Sequence, residues 1–392
     1  MKRIAAFLLV LALLAGLAAC GEVAVPVTPA PADEAAPEPT PTPAPTPDPI
    51  VLRAAELLAG MTEIEKLCQL MIVKPEALTG ESAVTESGEL TAAALEKWPV
   101  GGIIYSLNNL VTVEQTVAMI DGVQKLCKLK PFICADEEGG NVGRLMYKLG
   151  TTYFHDMYKY RQEGTPTAYA NAKTIASDMV RCHFNTDFAP VADVWTNPAN
   201  TVIGPRAYSD DFGEAAELVA AAVQGFRDGG VISCLKHFPG HGDTAADSHD
   251  GPVTSSRTIE ELRAGEFLPF VSGMAAGVDM VMVGHINVPS LDTVPASMSR
   301  VIVTDLLRGE LGWDGVVVTD GLEMGALSAY TDGEKYVNCL GAGCDILLGI
   351  SDIPGALAAA EQALSDGALT MERVDESVTR VLQLKLRRGI IA

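Results

Sequence analysis

The feature that most constrains the fold is a series of eight short apolar runs, each rich in β-branched residues, with helix-like stretches between them. Short runs of this kind are typical of strands buried on both faces, as in parallel sheets. The predicted strands are Leu70–Val73, Gly102–Tyr105, Phe132–Ala135, Phe184–Phe188, Ile232–Leu235, Met280–Val283, Val316–Thr319 and Ile346–Gly349.

The stretches between the strands have the apolar spacing of helices that cover a sheet. The predicted helices include Val113–Leu129, Ala168–Cys182, Phe212–Asp228, Ile259–Ala276 and Val301–Leu311. Because strand and helix alternate eight times, we predict an α/β fold with a single (β/α)8 TIM-type barrel. An open doubly wound sheet is the main alternative, but no Gly-rich dinucleotide fingerprint follows an early strand.

The first residues are typical of an export signal. Lys2 and Arg3 precede the apolar stretch 4–19, which is short for a membrane span, so residues 1–19 are predicted to be a signal peptide. The sequence Leu17-Ala18-Ala19-Cys20-Gly21 resembles the lipobox of bacterial lipoproteins. That resemblance implies cleavage before Cys20 and attachment of lipid to its thiol; a plain signal peptide is the alternative.

A Pro-, Thr- and Ala-rich segment follows the lipobox. Such a composition buries almost nothing, so residues 20–49 are predicted to be a disordered tether and residues 50–392 the barrel domain. We expect a protein exported and anchored to the outer face of the bacterial cytoplasmic membrane through lipid on Cys20.

Charge and cysteine content exclude two classes of protein. The net charge is −22, and removal of Lys2 and Arg3 with the signal makes it −24, so nucleic acid is not an expected partner. Besides Cys20 there are seven cysteines without paired spacing, which argues against a disulfide framework and favours core packing.

Ionisable residues stand at the ends of several predicted strands. Barrels of this type build their active sites at the carboxyl ends of their strands, so these residues are expected to converge in an enzyme. They are Asp136 with Glu137 and Glu138, then Asp187, Lys236 with His237, His285, and Asp320.

The densest polar cluster follows the fifth predicted strand and holds three of the six histidines. It reads Lys236-His237-Phe238-Pro239-Gly240-His241-Gly242-Asp243-Thr244, followed by Asp247-Ser248-His249-Asp250. A metal hydrolase is one hypothesis. Its possible ligands are His237, His241, Asp243, Asp247, His249 and Asp250. The Pro-Gly step, however, prevents one helix face from presenting both His237 and His241. We therefore expect neither a metal nor any other cofactor.

This cluster, with other segments in the same order, resembles glycoside hydrolase family 3, specifically its β-N-acetylglucosaminidase branch. The resemblance covers essentially all of residues 50–392. The other matching segments are Met61–Leu67, Asp136–Gly140, Phe188–Val194, Ile203–Arg206 and Gly315–Met324.

The resemblance implies catalytic roles for three residues. Asp320 would be the nucleophile that forms a covalent glycosyl-enzyme, and His249 the acid/base, assisted by Asp247. Imidazole suits both half-reactions because its ordinary pKa of about 6.5 lies near working pH. The structural alternatives are that Asp320 caps a helix beginning near Leu322 and that His249 is an ordinary surface-loop histidine.

Sugar binding is implied for Asp136, Arg206, Lys236 and His237, with Arg144 as a further candidate. Carboxylates accept hydrogen bonds from sugar hydroxyls, whereas Lys and Arg donate to them. For Lys236 and Arg206 the alternative is a structural ion pair with a nearby carboxylate.

Neighbouring polar residues are expected to support the site. His241 is expected to shape its turn and Asp193 to hold the adjacent loop, while His285 could be either a ligand or a support. Two positions depart from the family pattern. Arg is common at the position of Asn141, and a larger residue is common at the position of Gly321. These departures affect the expected fine specificity and not the expected reaction.

The function predicted is a retaining, exo-acting β-N-acetylglucosaminidase that releases terminal β-linked GlcNAc from cell-wall muropeptides or chitin-type glycans. A GlcNAc phosphorylase or β-glucosidase on the same scaffold is the runner-up, and a non-catalytic sugar-binding lipoprotein is a further alternative. The sequence predicts neither the natural aglycone nor the oligomeric state.

Overall fold

The computed structural model describes residues 48–245 and 251–392. The strands are β1 Met71–Val73, β2 Gly102–Ile104, β3 Phe132–Ala135, β4 Thr186–Asp187, β5 Cys234–Phe238, β6 Val253–Thr254, β7 Met280–Val283, β8 Ile286–Asn287, β9 Val316–Thr319 and β10 Leu347–Leu348. The α-helices are α1 Pro49–Ala59, α2 Glu63–Gln69, α3 Pro75–Thr79, α4 Glu89–Lys97, α5 Val113–Leu126, α6 Leu145–Lys148, α7 Thr165–Arg181, α8 Phe212–Gly229, α9 Ile259–Ala264, α10 Phe267–Ala275, α11 Asp332–Ala342, α12 Ile353–Asp366 and α13 Met371–Arg387.

Short helices of other types complete the described part. Segments Leu107–Asn109, Met157–Glu163, Gly204–Arg206, Ala296–Met298 and Gly325–Leu327 are 3₁₀ helices, and Val301–Glu310 is a π-type helix. No helix in residues 48–245 or 251–392 has both the length and the apolar character needed to cross a bilayer.

All pairings between the named strands are parallel. One sheet has the order β10-β1-β2-β3-β4, a second has β5-β7-β9, and β6 pairs with β8. Isolated parallel bridges join Thr186 of β4 to Ile232, just before β5, and Val318 of β9 to Ile346, just before β10. The fold is therefore α/β with parallel sheets, as predicted.

Complete burial of the strands explains their apolar sequences. Ile72, Ile133, Val281 and Val317 have no exposed surface and belong to one core cluster with residues from the helices. Helix α8 shows how a helix contributes, because Ala215, Leu218, Val219, Ala222 and Phe226 are buried at helical spacing. The helix ends at Gly230, whose φ of 100° satisfies a left-handed cap.

The strand bounds agree with the sequence where the run is wholly apolar. Strands β3, β7 and β9 have the predicted limits, whereas β5 extends from Cys234 to Phe238. The prediction that β5 ends at Leu235 was wrong, because Lys236 continues the pairing through a bridge to Val191. Lys236 and His237 therefore lie within a strand.

The long helix predicted over 259–276 is divided into α9 and α10. Its start has the predicted capping box, in which Thr258 and Glu261 exchange hydrogen bonds between side chain and backbone. At the break, a side chain on Gly265 would meet the ring of Phe212 at 2.6 Å. Only a glycine lets the two segments approach that ring.

Candidate active site

Six predicted site residues line one cavity at the carboxyl ends of the strands. Asp136 follows β3, Lys236 and His237 lie in β5, and Asp320 follows β9. Arg144 and Arg206 come from the loops after β3 and β4. The cavity has a volume of about 140 Å³, and Glu138 and His241 also line it. Side chains separated by up to 184 positions in the sequence thus meet at a single site.

Glu138 is the centre of the charge network in this cavity. Its carboxylate accepts two hydrogen bonds from Arg206, from Nε and Nη2, each of 2.8 Å, and lies 2.6 Å from Lys236 Nζ. Burial raises the pKa of Glu138, but Arg206 and Lys236 outweigh burial and hold it well below its ordinary value. Glu138 is therefore an ionised anchor for two cations.

Asp136 connects this network to Arg144. Lys236 donates to Asp136 Oδ1 at 2.9 Å, and Arg144 Nη2 donates to Oδ2 at 3.3 Å. Burial opposes ionisation of Asp136, yet the attraction of Lys236 and Arg144 leaves its pKa below the ordinary value. Because Asp136 remains partly exposed, its oxygens can also accept from a bound hydroxyl.

The ion pairs that sequence reasoning offered as an alternative for Lys236 and Arg206 are present. Both cations contact Glu138, which sequence analysis placed at a strand end but did not include among the binding residues. The sequence feature that could have identified Glu138 as a cavity residue is its position two residues after Asp136, at the same strand end. A fixed ion pair and sugar binding are compatible, because Lys has three donors and Arg has five.

Asp320 is held at the carboxyl end of β9 by backbone hydrogen bonds. Its N–H donates to Val283 O at 2.9 Å, and its Oδ1 accepts from Gly321 N at 2.8 Å. Burial raises its pKa, but His237, His285, the Gly321 N–H and Lys236 together keep the value below the ordinary one. The residue is therefore a carboxylate at neutral pH.

The helix that would make Asp320 a simple cap is absent from this described segment. Residues 321–324 form turns, and the next helical element is the 3₁₀ segment Gly325–Leu327. The ionised carboxylate faces the cavity instead.

The buried residues Asp193 and Thr244 hold His237 and His241 in position. Asp193 Oδ2 lies 2.7 Å from His237 Nδ1, and Oδ1 accepts from the backbone N–H of His241 at 2.7 Å. The prediction that Asp193 holds the neighbouring loop is confirmed. His241 Nδ1 lies 2.8 Å from Thr244 Oγ1 in the predicted turn.

His285 supports the backbone beside Asp320. Its Nδ1 lies 2.8 Å from Ser297 Oγ and its Nε2 lies 3.1 Å from Gly321 O. Burial lowers the pKa of this imidazole despite the nearby carboxylate of Asp320. Of the two roles proposed from sequence, these contacts favour support.

Asp247 and His249 fall within residues 246–250, outside the described part of the chain. The residues on either side of this gap are well connected. Asn197 donates to the carbonyl oxygens of Asp243 and Thr244 at 3.2 Å, and Ser255 Oγ donates to Asp243 Oδ2 at 2.7 Å. The segment that carries both predicted residues therefore joins two anchored ends.

Two acidic residues that were expected to converge at the site, Glu137 and Asp187, do not line the cavity. Glu137 accepts from the backbone N–H groups of Leu145 and Met146 at 2.8 and 2.9 Å, which caps α6 directly after Arg144. Asp187 accepts from Glu137 N at 2.9 Å, while its buried Oδ2 has no hydrogen-bond partner. Burial raises the pKa of Asp187 well above its ordinary value.

A second cavity of about 370 Å³ adjoins the first and shares Asp136, Arg144 and Asp320 with it. Lys74 and Glu323 form a 2.6 Å ion pair at its wall. Across the described residues, no group of three or more His, Cys, Asp or Glu side chains is arranged to hold a metal ion.

An ionised carboxylate facing fixed donors and acceptors is the arrangement that a glycoside hydrolase requires. The N-terminal domain of glycosyl hydrolase family 3 matches residues 62–384. The chain belongs to this family, in agreement with the resemblance seen in its motifs.

Similar proteins include two named β-hexosaminidases. Beta-hexosaminidase A of Pseudoalteromonas piscicida is 32% identical over 324 residues, which are 75% of this chain and 54% of that protein. Beta-hexosaminidase LpqI of Mycobacterium tuberculosis is 34% identical over 335 residues, which are 82% of each chain.

The fold is also similar to that of a solved structure from the same family, a β-N-acetylglucosaminidase from Paenibacillus sp. The TM-score is 0.80 at 37% identity, covering 85% of this chain and 64% of that one. This chain thus spans about half of the Pseudoalteromonas protein and somewhat less than two thirds of the Paenibacillus structure.

Proposed function

We propose that this protein is a retaining, exo-acting β-N-acetylglucosaminidase that releases terminal β-linked GlcNAc from cell-wall muropeptides or chitin-type glycans. The single observation that carries the proposal is the ionised Asp320 in a cavity shared with Asp136, Arg206, Lys236 and His237. The names of the relatives, β-hexosaminidase and β-N-acetylglucosaminidase, supply the sugar specificity.

In the first step, Asp320 attacks the anomeric carbon as the bond to the leaving oxygen breaks, and His249 donates a proton to that oxygen. The product is a glycosyl ester on Asp320. In the second step, His249 removes a proton from water, the water oxygen attacks the anomeric carbon, and the ester bond breaks. Asp247 stabilises the protonated imidazole of His249.

The charge network suits this sequence of steps. Asp320 must be ionised before attack, and its lowered pKa provides that form without a neighbouring base. Asp136, Arg206, Lys236 and His237, with Arg144, would bind the sugar hydroxyls and hold the ring against Asp320. Because their partners fix them beforehand, little reorganisation is needed when the substrate enters.

The proposal includes a closed (β/α)8 barrel. The five-stranded and three-stranded parallel sheets contain eight strands, and the Thr186–Ile232 and Val318–Ile346 bridges support closure at both seams. A closed barrel would bring all eight carboxyl ends to one mouth, consistent with the two adjoining cavities that share Asp136, Arg144 and Asp320.

The proposal also includes export and anchoring. The N-terminal sequence supports a signal peptide at 1–19, lipid on Cys20, and a tether over 20–49 ahead of the catalytic domain at 50–392. Such a protein would work at the outer face of the cytoplasmic membrane, where wall glycans are accessible. Labelling with a radioactive fatty acid, lost in Cys20→Ala, tests this part.

The activity is tested with p-nitrophenyl β-GlcNAc on the full chain, with Asp320→Ala and His249→Ala as variants. We expect release by the wild type, loss of at least about 10³-fold in Asp320→Ala, and a mass increase of one GlcNAc on Asp320 during turnover. Release that survives Asp320→Ala would overturn the assignment of the nucleophile.

Two further arms separate the alternatives on the same scaffold. Turnover that requires inorganic phosphate and yields a sugar phosphate would indicate a phosphorylase. Faster release from the β-glucoside than from β-GlcNAc would indicate a β-glucosidase. Comparing a muropeptide with chitobiose then identifies the preferred aglycone.

A further inference from the structure

An aromatic strip, consisting of Tyr147, Tyr153, His155 and Tyr160, lies in the chain segment that follows Arg144. Consecutive ring centroids are 6.4, 5.4 and 6.4 Å apart. Tyr147 and Tyr153 are 50% and 57% exposed, and no other aromatic residue is among the exposed large hydrophobic side chains of the described chain. His155 is also exposed. Two exposed tyrosines in direct contact form a patch, in contrast to isolated exposed apolar residues elsewhere.

The strip is mounted on the loop that builds the cavity. Tyr147 lies on α6, three residues after Arg144, which lines both cavities. Three residues of helix rise about 4.5 Å, so the strip begins close to the cavity rim. In addition, Gly140 N donates to Phe154 O at 3.0 Å and Asn141 N donates to Asp156 Oδ1 at 3.0 Å. The aromatic segment 151–160 and the turn after Asp136 therefore form one packed unit.

The backbone on both sides of Tyr153 is fixed. Thr152 N donates to Asp178 Oδ2 at 2.8 Å, and the side chain of Phe154 lies in the core. An aromatic side chain on such a backbone has only two rotatable bonds to order. Its binding surface is therefore prepared at small entropic cost.

Hydroxyl groups in the strip are largely committed to the protein. Tyr147 Oη donates to Gly140 O at 2.7 Å, and Tyr160 Oη accepts from His155 N at 3.1 Å. What the strip offers to a ligand is consequently aromatic ring surface. The negative π faces attract the slightly positive C–H groups on the apolar side of a pyranose ring.

We propose that the aromatic strip is an accessory glycan-binding site that contacts the aglycone part of an extended β-linked amino-sugar chain while its terminal sugar occupies the catalytic cavity. The inference rests on the proposed glycosidase function and extends it from a single sugar to a chain. The nearness of Tyr147 to Arg144, which lines the cavity, and the apolar ring faces favour a carbohydrate. The net charge of −22 disfavours nucleic acid and anionic lipid surfaces.

The first test is kinetic and compares Tyr153→Ala with Tyr153→Phe, which keeps the ring, and with Leu90→Ala. Leu90 is 54% exposed on α4 and serves as a matched apolar control. We expect Tyr153→Ala to lower kcat/KM for GlcNAc tetramers roughly threefold to tenfold while p-nitrophenyl β-GlcNAc turnover stays near wild type. An unchanged kcat/KM for the tetramer would overturn the proposal.

The second test reads binding without catalysis, by retardation of the full chain in native gels that contain soluble glycol chitin or solubilised peptidoglycan strands. The Asp320→Asn and Tyr153→Phe variants should still be retarded by the glycan. The Tyr153→Ala variant should migrate as far as it does in a gel that contains no glycan. The two gels distinguish a chitin-type chain from a wall strand. Equal retardation of Tyr153→Ala and wild type in both gels would contradict the accessory site.

The two proposals fail in different ways. Retardation that depends on Tyr153 in a chain that releases no GlcNAc would retain the glycan site and reject the glycosidase function. If the chain releases GlcNAc and its Tyr153→Ala variant behaves as wild type, the glycosidase function is retained and the accessory glycan site is rejected.

Discussion

Both ends of the parallel strands place carboxylates against arginine or lysine, but those at the carboxyl end line a cavity, whereas Asp345 at the amino end is enclosed by protein groups. At the carboxyl end, Glu138 and Asp136 contact Lys236 and Arg206 around a space of about 140 Å³. At the amino end, just before β10, Asp345 is fully buried and lies 2.6 Å from Arg308 Nη2.

The amino-end cluster is saturated by protein groups. Asp345 accepts from Ser377 Oγ at 2.6 Å, from Val317 N at 3.0 Å, and from Arg373 Nη2 at 3.4 Å, in addition to Arg308. Burial opposes ionisation, but Arg308, Arg373 and Arg380 bring the pKa of Asp345 below its ordinary value. Similar ion pairs thus serve packing around Asp345 at the amino end, whereas at the carboxyl end Asp136 and Glu138 line a cavity that a ligand can enter.

The largest expected effect is the loss of catalytic activity when Asp320, at the carboxyl end of β9, is replaced. Asp320→Asn should lower kcat by at least about 10³-fold, because an amide cannot form the glycosyl ester. The melting temperature should change little, since the substitution keeps the side-chain volume and the Gly321 hydrogen bond. Steady-state kinetics and differential scanning calorimetry on the same sample measure both. A large loss of stability would mean that Asp320 is also a structural anchor.

The reverse outcome is expected for Asp345→Asn. Removing the charge leaves Arg308, Arg373 and Arg380 without their common carboxylate, and breaking a buried pair in this way costs about 3–5 kcal/mol. Urea unfolding should show that loss, while kcat of the folded fraction stays within about twofold of wild type. Retained stability together with lost activity would remove the distinction drawn between the two ends.

The comparison also explains which features could be predicted from sequence. Strands β3, β7 and β9 were bounded correctly because their burial on both faces requires unbroken apolar runs. Strand β5 was cut short because Lys236 and His237 are polar although buried. Nothing local marks such residues as strand.

Ion pairs between residues distant in sequence were harder to predict than the residues that line the cavity. The Arg206–Glu138 pair joins residues 68 positions apart, and Asp345 draws arginines from two separate helical segments. A sequence can place these residues at strand ends or in helices, but their pairing depends on the packed arrangement. The two-residue strands β6 and β8 were missed because they are too short to show a pattern.

Within the cavity, Arg206→Lys tests how much the bidentate geometry matters. Lysine keeps the charge but cannot make two parallel hydrogen bonds to Glu138. We expect kcat/KM for p-nitrophenyl β-GlcNAc to fall roughly tenfold to a hundredfold, mainly through KM. Far-ultraviolet circular dichroism and the melting temperature would verify folding. Unchanged kinetics would place Arg206 with the saturated pairs of the amino end.

The smallest expected effect concerns Lys385, a second buried cation at the amino end. Its ammonium donates to Gln69 Oε1 at 2.8 Å and lies 4.9 Å from the centre of the Phe132 ring. Burial lowers its pKa to about 7 despite the opposing influence of Cys127 and Cys134, whose own pKa values burial raises.

Since the folded state binds this proton less tightly than the unfolded chain, stability should rise with pH from about 7 towards the ordinary lysine pKa of about 10.4. The contribution from Lys385 is roughly 1 kcal/mol per pH unit, and Lys385→Met should remove that slope. Urea unfolding of both proteins at pH 7, 8 and 9 measures the difference, because titration of unfolded cysteines affects the two equally. Parallel curves would show that Lys385 stays protonated in its buried position, and that the amino end tolerates a charge without a carboxylate.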